Sequence, residues 1–381
     1  MIVQGDWIDA PATQAVCAAL TDEGFQALFV GGCVRNTLLD APVFDIDIAT
    51  DATPQDTIRC AKTAGLSAIP TGIDHGTITV VSGGISHEIT TFRSDIETDG
   101  RHAKVQFSKN VKEDAARRDF TMNAIYAQRD GSVLDPLSGL QDLTDGRVRF
   151  IGDAGQRIRE DYLRSLRFFR FTAWYGNPSL GIDADGLAAV AANLDGLSGL
   201  SRERVGAELK KLLSAPDPSM SVAAMRSAGV LNAMLEGADD RALALLVHHE
   251  QSKSIAPDPI RRLAALADVP HDDVLRLSKA DRKRWAVLRD ELGSMKSAQH
   301  LGYLHGSRLG IDVLLLRAAI FEQALRNTEF EEVNCGEMAV FPVSARDLSG
   351  FSGRELGERL KALEQRWITS NFSLSKEDLL G

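Results

Sequence analysis

"GGCVRNTLLDAPVFDIDIAT", residues 31–50, sets two aspartates, Asp45 and Asp47, one residue apart in an apolar run shortly after a pair of glycines. Phe44, Ile46 and Ile48 alternate with the acids, so a period of two predicts a strand with one apolar face and two carboxylates on the other. Like charges that close repel, and the packing of a strand does not require them. A solvated edge strand accounts for a bare D-x-D, so the weight falls on what surrounds it. "LFV" ahead of the glycines reads as a short buried strand and "CVRNTLL" as a helix, which puts Gly31 and Gly32 at a strand-to-helix turn. There a bare backbone approaches phosphate oxygens, and free amides with the helix dipole favour negative charge. Arg35, one turn into the helix, reaches the same place.

A third carboxylate, Glu88, lies in "HEITTFR" (87–93), on a predicted neighbouring strand. Three facing acids are costly without a cation among them. Oxygen ligands of this kind suit Mg²⁺, which also binds substrate phosphates. Metal ions held by Asp45 and Asp47 activate an attacking hydroxyl and stabilise a departing pyrophosphate. The pattern points to metal-dependent nucleotidyl transfer with Asp45, Asp47 and Glu88 as the catalytic acids. A salt bridge to Arg93 is the competing role for Glu88.

The chain has 381 residues, 44% hydrophobic and 25% charged, with a formal net charge of −10. That charge argues against coating nucleic acid by electrostatics alone, though not against a local basic surface. Cys17, Cys33, Cys60 and Cys335 are scattered without a C-x-x-C pair, which argues against a disulfide framework or a zinc site and suits a reducing compartment. The acidic "MIVQGDWIDAPATQAV" lacks signal-peptide character and no apolar run reaches membrane-spanning length, so the expected location is cytoplasmic, with no membrane partner. Strand-like runs at "FDIDIAT", "GTITVV" and "HEITTFR" give way after about residue 150 to helical spacing, as in "RERVGAELKKLL" and "GRELGERLKALEQRW". The expected fold class is α+β, a mixed-sheet head followed by an elongated all-α array.

The G-G turn followed by D-x-D resembles the nucleotidyltransferase superfamily that includes DNA polymerase β. "TGIDHGTITVV", "HEITTFRSD", "TDGRHAKVQF", "EDAARRDFTMNAIY", "DPLSGLQDL" and "RIREDYLRSLRFFRF" are similar to the bacterial CCA-adding tRNA nucleotidyltransferase and poly(A) polymerase family. The resemblance is dense over residues 28–215. It departs at Asn36, commonly Asp in the family, and at Ile158, commonly Phe; neither touches the metal acids. It implies a catalytic head over 1–150, a nucleotide-recognition neck over 151–220, a helical body over 221–330 and a tRNA-binding tail over 331–381. It also implies Mg²⁺ as cofactor, CTP and ATP as substrates, and tRNA as partner, held by its acceptor arm and T-loop. Protein partners are not indicated. The activity implied is addition or repair of the 3′-terminal CCA. Poly(A) polymerization, or addition of A only or CC only, are the alternatives within the class. A catalytically silent RNA-binding module is the alternative outside it, opposed by the intact Asp45 and Asp47.

For base selection, Asp161 and Arg164 lie three apart in "REDYLRSLRFFRF", hence on one predicted helix face. A carboxylate accepts from the exocyclic amino group shared by cytosine and adenine, and an Arg fork donates to the ring nitrogen beside it. Uracil and guanine present a carbonyl there and are repelled. The resemblance implies this same role; an ordinary i,i+3 ion pair is the alternative. Arg167 and Arg170 continue the spacing, and three guanidiniums in a row call for anions, which a triphosphate supplies. Arg118 in "RRDFTMNA" matches a nucleotide-contacting arginine of the family, and Gly32 and Arg35 match its phosphate turn. Asp119 is a candidate for a ribose hydroxyl. His102 and Lys104 match the family's flexible loop by resemblance alone. Phe168, Phe169 and Phe171 are expected to pack rather than stack on bases. His248, His271 and Asp272 sketch a metal phosphohydrolase without an assignable final acid. Arg276, Lys279, Arg282 and Lys283 form a charge run open to two roles, a solvated face or a phosphate-backbone contact.

Overall fold

The computed structural model describes residues 1–99, 102–268 and 272–381, with the backbone alone at 95–99, 102–105 and 272–273. The chain divides into two compact units, Met1–Glu236 and Gly237–Gly381.

The first unit is organised by one seven-stranded sheet. Its strands are β1 (Leu28–Val30), β2 (Ile46–Thr50), β3 (Ser67–Gly72), β4 (Thr77–Ser82), β5 (Ile85–Thr91), β8 (Tyr126–Ala127) and β9 (Val133–Leu134). Their order is β3-β4-β5-β2-β1-β8-β9, and β6 (Arg93–Asp99) pairs separately with β7 (His102–Phe107). β2 and β5 run parallel, while the other neighbours in the sheet are antiparallel. Burial explains the strands: all of β1 is buried, β4 alternates, and Ile46 and Ile48 of β2 point into the core. Helices α1 (Pro11–Thr21) and α3 (Pro54–Thr63) pack on this sheet, α3 started by Pro54 at its first turn and by Thr53, whose hydroxyl accepts from the Asp56 amide. Leu28, Val30, Ala49, Phe92, Ala115, Ala124, Tyr126 and Ile151 form the core beneath β1 and β2.

One expectation fails in β2. The strand begins at Ile46, and Phe44, expected on its apolar face, is 86% exposed. Alternation alone does not locate where the core ends.

Behind the sheet, α5 (Ala154–Glu160) and α6 (Leu163–Tyr175) lead into a helical region that includes α7 (Arg202–Leu213). Phe168, Phe169 and Phe171 are buried, as expected of packing residues. Phe150 stacks on Phe168 with centroids 5.3 Å apart, and Phe120 meets Phe171 at 5.0 Å, packing α6 against the isolated bridge that Phe120 and Phe150 form.

The second unit is helical among its described residues. Its main elements are α8 (Arg241–Ser252), α9 (Pro259–Leu266), α10 (Lys279–Leu292), α11 (Ala298–Ile320), α12 (Asn327–Met338) and α13 (Gly353–Thr369). Helices α11 and α12 approach so closely that a Cβ on Gly302 would lie 1.9 Å from the Val333 carbonyl oxygen, and one on Gly336 1.9 Å from that of Gln299. Beneath them Glu250 accepts from Arg261 and Arg262, and Asp312 from Arg261 and Arg284, all largely out of water. Trp367, Leu363, Ile368 and Leu379 build a small separate core around α13. No helix among the described residues is long and apolar enough to cross a membrane.

Candidate active site

The turn between β1 and the short helix α2 (Gly32–Leu38) is made by Gly31, whose φ of 72° and ψ of −124° suit a residue without a Cβ. Gly32 is the first helical residue. A Cβ on Gly31 would stand 3.7 Å from Asp47 Oδ2 and 3.8 Å from Arg118 Nη1, so backbone, acid and guanidinium converge here. Across the parallel pairing Asp47 is the direct partner of Glu88. Asp45 precedes the strand and is exposed. Burial first, then Glu88 and Asp45, push the Asp47 carboxyl up to about 6, against the pull of Arg118 and Arg35.

A carboxylate crowded by its own kind is what a divalent cation relieves, so this donor set fits a hard metal ion. The described residues hold no group of three or more His, Cys, Asp or Glu poised to ring a metal. The group of three facing acids expected from the sequence is therefore not formed: Asp47 stands opposite Glu88 across the paired strands, while Asp45 lies exposed ahead of β2.

Arg118 is held from behind. Asp114, 1% exposed and on helix α4 (Val111–Ala116), accepts from Arg118 at 3.0 Å, from Arg117 at 2.6 Å and from the Tyr126 hydroxyl at 2.8 Å. Against its burial, Arg118 and Arg117 draw the Asp114 carboxyl down to about 2. Nη1 of Arg118, used by neither Asp114 nor Tyr126, is the nitrogen facing Gly31.

Arg35 is buried and bound within the protein. It donates to Asn123, to Asn36 at 2.8 Å and to the Tyr175 hydroxyl at 2.9 Å, and stacks on the Tyr175 ring at 4.2 Å. Burial lowers its pKa, with Arg170 adding to the effect. Asn36, the departure noted in the sequence, thus gives this guanidinium a neutral acceptor.

The arginine row is answered by protein carboxylates, which corrects the expectation that its repulsion calls for a triphosphate. Arg164 pairs with Glu160 at 2.6 Å, Arg167 with Asp119 at 2.6 Å and Arg170 with Glu208 at 2.6 Å. Asp119, the ribose candidate, also accepts from the Asn123 side chain and the Phe120 amide, and Arg167 leads in holding it at about 2 despite its burial.

Asp161 and Arg164 do not share a helix, a second correction. Asp161 has φ −155° and ψ 104° and separates α5 from α6. Its Oδ1 accepts from the Leu163 amide at 3.1 Å, and its Oδ2 from Arg204 of α7 at 2.6 Å. Arg164 also donates to the carbonyls of Arg117 and Arg157, and its ion pair is with Glu160 rather than Asp161. Sequence spacing missed Arg204, Asp114 and Glu160. The RxxE and DxxxR spacings of the last two were legible as helix-neighbour pairs, whereas nothing local marks Arg204.

The side chains of His102 and Lys104, and residue His271, lie outside what is described, as does the side chain of Asp272; His248 sits on α8 with its ring 5.9 Å from that of His249.

Comparison with known proteins shows what the chain as a whole is similar to. Residues 27–149 match the family described as the poly A polymerase head domain, and residues 180–241 the one described as "Probable RNA and SrmB- binding site of polymerase A". The chain is 33% identical over 375 residues to the mitochondrial CCA tRNA nucleotidyltransferase 1 of Danio rerio, covering 93% of this chain and 86% of that protein. It is 41% identical over 219 residues to the CCA-adding enzyme of Leuconostoc mesenteroides, 57% of this chain and 52% of the other. The crystal structure of the Bacillus stearothermophilus CCA-adding enzyme in complex with CTP superposes with a TM-score of 0.72 at 26% identity, over 96% of this chain and 94% of that one. Sheet, turn, paired acids and these likenesses together place the chain in the family of CCA-adding tRNA nucleotidyltransferases.

Proposed function

We propose that the chain builds or repairs the 3′-terminal CCA of tRNA from CTP and ATP, releasing pyrophosphate, through the residues gathered around the Gly31 turn. The observation that carries this is the parallel pairing of Asp47 with Glu88 beside a backbone turn and a held arginine. Asp45 and Asp47 would hold Mg²⁺, with Glu88 alongside. Bound there, the ion would lower the pKa of the tRNA 3′-hydroxyl and offset charge on the leaving pyrophosphate.

The chain's own residues orient the nucleotide. Gly31 and Gly32 let phosphate oxygens approach the backbone, and Arg118 offers Nη1 to them. Arg35 fixes the turn against Tyr175. Arg167 and Arg170 keep donors beyond those given to Asp119 and Glu208. Asp161, whose side chain is 30% exposed, retains a lone pair for the amino group of cytosine or adenine while Arg204 steadies it. Arg164 donates to the ring nitrogen by exchanging one of its present acceptors. In this reading residues 1–150, 151–220, 221–330 and 331–381 serve as head, neck, body and tail. The body and tail grip the acceptor arm and T-loop by backbone shape. Four free thiols suit a reducing, cytoplasmic setting.

The test supplies each nucleotide separately to tRNA lacking CCA, tRNA ending in CC, and an unstructured RNA. C, C and A should be added in turn, after which extension halts. Long A-tails on unstructured RNA would replace this reading with poly(A) synthesis, and restricted addition would make the enzyme A-only or CC-only. Asp45→Ala and Asp47→Ala should each abolish incorporation without unfolding the protein; near wild-type turnover at saturating Mg²⁺ would remove the metal assignment.

A further inference from the structure

Helix α10 is divided by charge. Residues 276–284, RLSKADRKR, carry five Lys or Arg against a single Asp, in a chain whose net charge is −10. The inward basic residue, Arg284, is satisfied: it donates to Asp258 at 2.6 Å and to Asp312 at 2.5 Å. Lys279 and Lys283, four apart and so on one side of the helix, are exposed. Neither makes a hydrogen bond or ion pair with the described residues. Arg276 and Arg282 are exposed beside them. A stabilising surface helix usually places an acid four residues from a lysine; here the exposed charges of the first turns are basic, Lys279, Arg282 and Lys283, Asp281 is half-buried, and the exposed acid, Asp290, comes only near the far end of the helix. The excess is reinforced below: Asp258, already held by Arg284, is also approached at 3.4 Å by Arg308, which is 81% exposed.

We infer that the outer face of α10, centred on Lys279 and Lys283, docks the phosphodiester backbone of RNA. Lysines of this kind position a nucleic acid without reading its sequence, and each phosphate neutralised releases counterions. The inference rests on the proposed function for its ligand, tRNA, and adds where this chain grips it. An acidic protein meets the same charge, but a backbone of regularly spaced phosphates matches two lysines one helical turn apart and is the substrate already in hand.

The experiment measures binding of tRNA lacking CCA to the full chain between 50 and 200 mM salt, as an order-of-magnitude window in which phosphate contacts are resolved. Lys279→Gln/Lys283→Gln should weaken binding about 3- to 30-fold at the lower salt and flatten the log–log salt slope by roughly one to two. KM for tRNA should rise while kcat at saturating tRNA and KM for CTP stay unchanged, since both lysines are exposed. Arg59→Gln, which removes an exposed charge on α3 already paired with Glu23 and Asp56, outside the body and tail, is the control and should leave the slope as it was. A double variant with wild-type slope and KM for tRNA overturns the inference, as does an equal loss in the Arg59→Gln control. If the wild-type protein neither binds nor extends tRNA, it is the proposed function that fails.

Discussion

Asp47 and Asp114 are both buried carboxylates, yet their neighbours drive them in opposite directions. Asp47, facing Glu88 and Asp45, is raised to about 6. Its protonated form is favoured in the folded, metal-free protein, so its contribution to stability is full below about pH 4 and is lost as pH rises through about 6. Asp47→Asn should therefore stabilise the metal-free protein by about 1–3 kcal/mol at pH 7.5, with the difference vanishing below pH 4; thermal melts in EDTA read this directly. Mn²⁺ affinity should fall as pH drops through about 6, because the ion competes with a proton. Asp114 and Asp119, drawn to about 2 by their arginines, behave oppositely: their contribution is present above about pH 4 and disappears as pH falls through 2. Asp114→Ala strands Arg117 and Arg118 and should cost about 3–5 kcal/mol in denaturant melts. Asp114→Asn, which keeps a neutral acceptor, should cost less.

The turn flanked by β1, α2 and β2 was legible in sequence because a buried strand, two glycines and an alternating run are all local signals. The break between α5 and α6 was not. Helical spacing runs through "IREDYLRSL" on both sides, and what breaks it is Asp161 capping the Leu163 amide while Arg204 reaches in from 43 residues away. Two members of the arginine row on α6 were equally opaque: the counter-ions of Arg167 and Arg170, Asp119 and Glu208, lie 48 and 38 residues distant. A sequence shows that positive charges need partners without naming them. The consequence for specificity is testable. Asp161→Ala removes the acceptor for the amino groups of cytosine and adenine, and losing a bond to a charged group costs about 1.5–3 kcal/mol, roughly 10- to 150-fold in kcat/KM for CTP and ATP. UTP and GTP should lose less, so the CTP-to-UTP incorporation ratio should shrink; a uniform loss for all four nucleotides would make Asp161 structural.

Each of the two units carries its own means of stability, the first a sheet with aromatic packing on α6, the second close helix contacts over buried ion pairs. Gly336→Ala places a methyl 1.9 Å from a carbonyl oxygen, which only backbone movement relieves. Overpacking of this kind costs about 1–3 kcal/mol, and calorimetry should show the transition of residues 237–381 shifted down. Glu250→Ala should shift it further, since two buried guanidiniums lose their shared partner.

The parallel joining of β2 to β5 also governs the order in which the molecule comes together. Strands side by side in the same direction cannot be linked by a tight hairpin, so α3 and the β3–β4 ribbon intervene between Asp47 and Glu88. Loop-closure entropy delays such a pairing relative to the helices, whose bonds are local. On refolding, helical circular dichroism should therefore return before catalytic activity, and the lag measures how long the chain remains well structured yet has no active site.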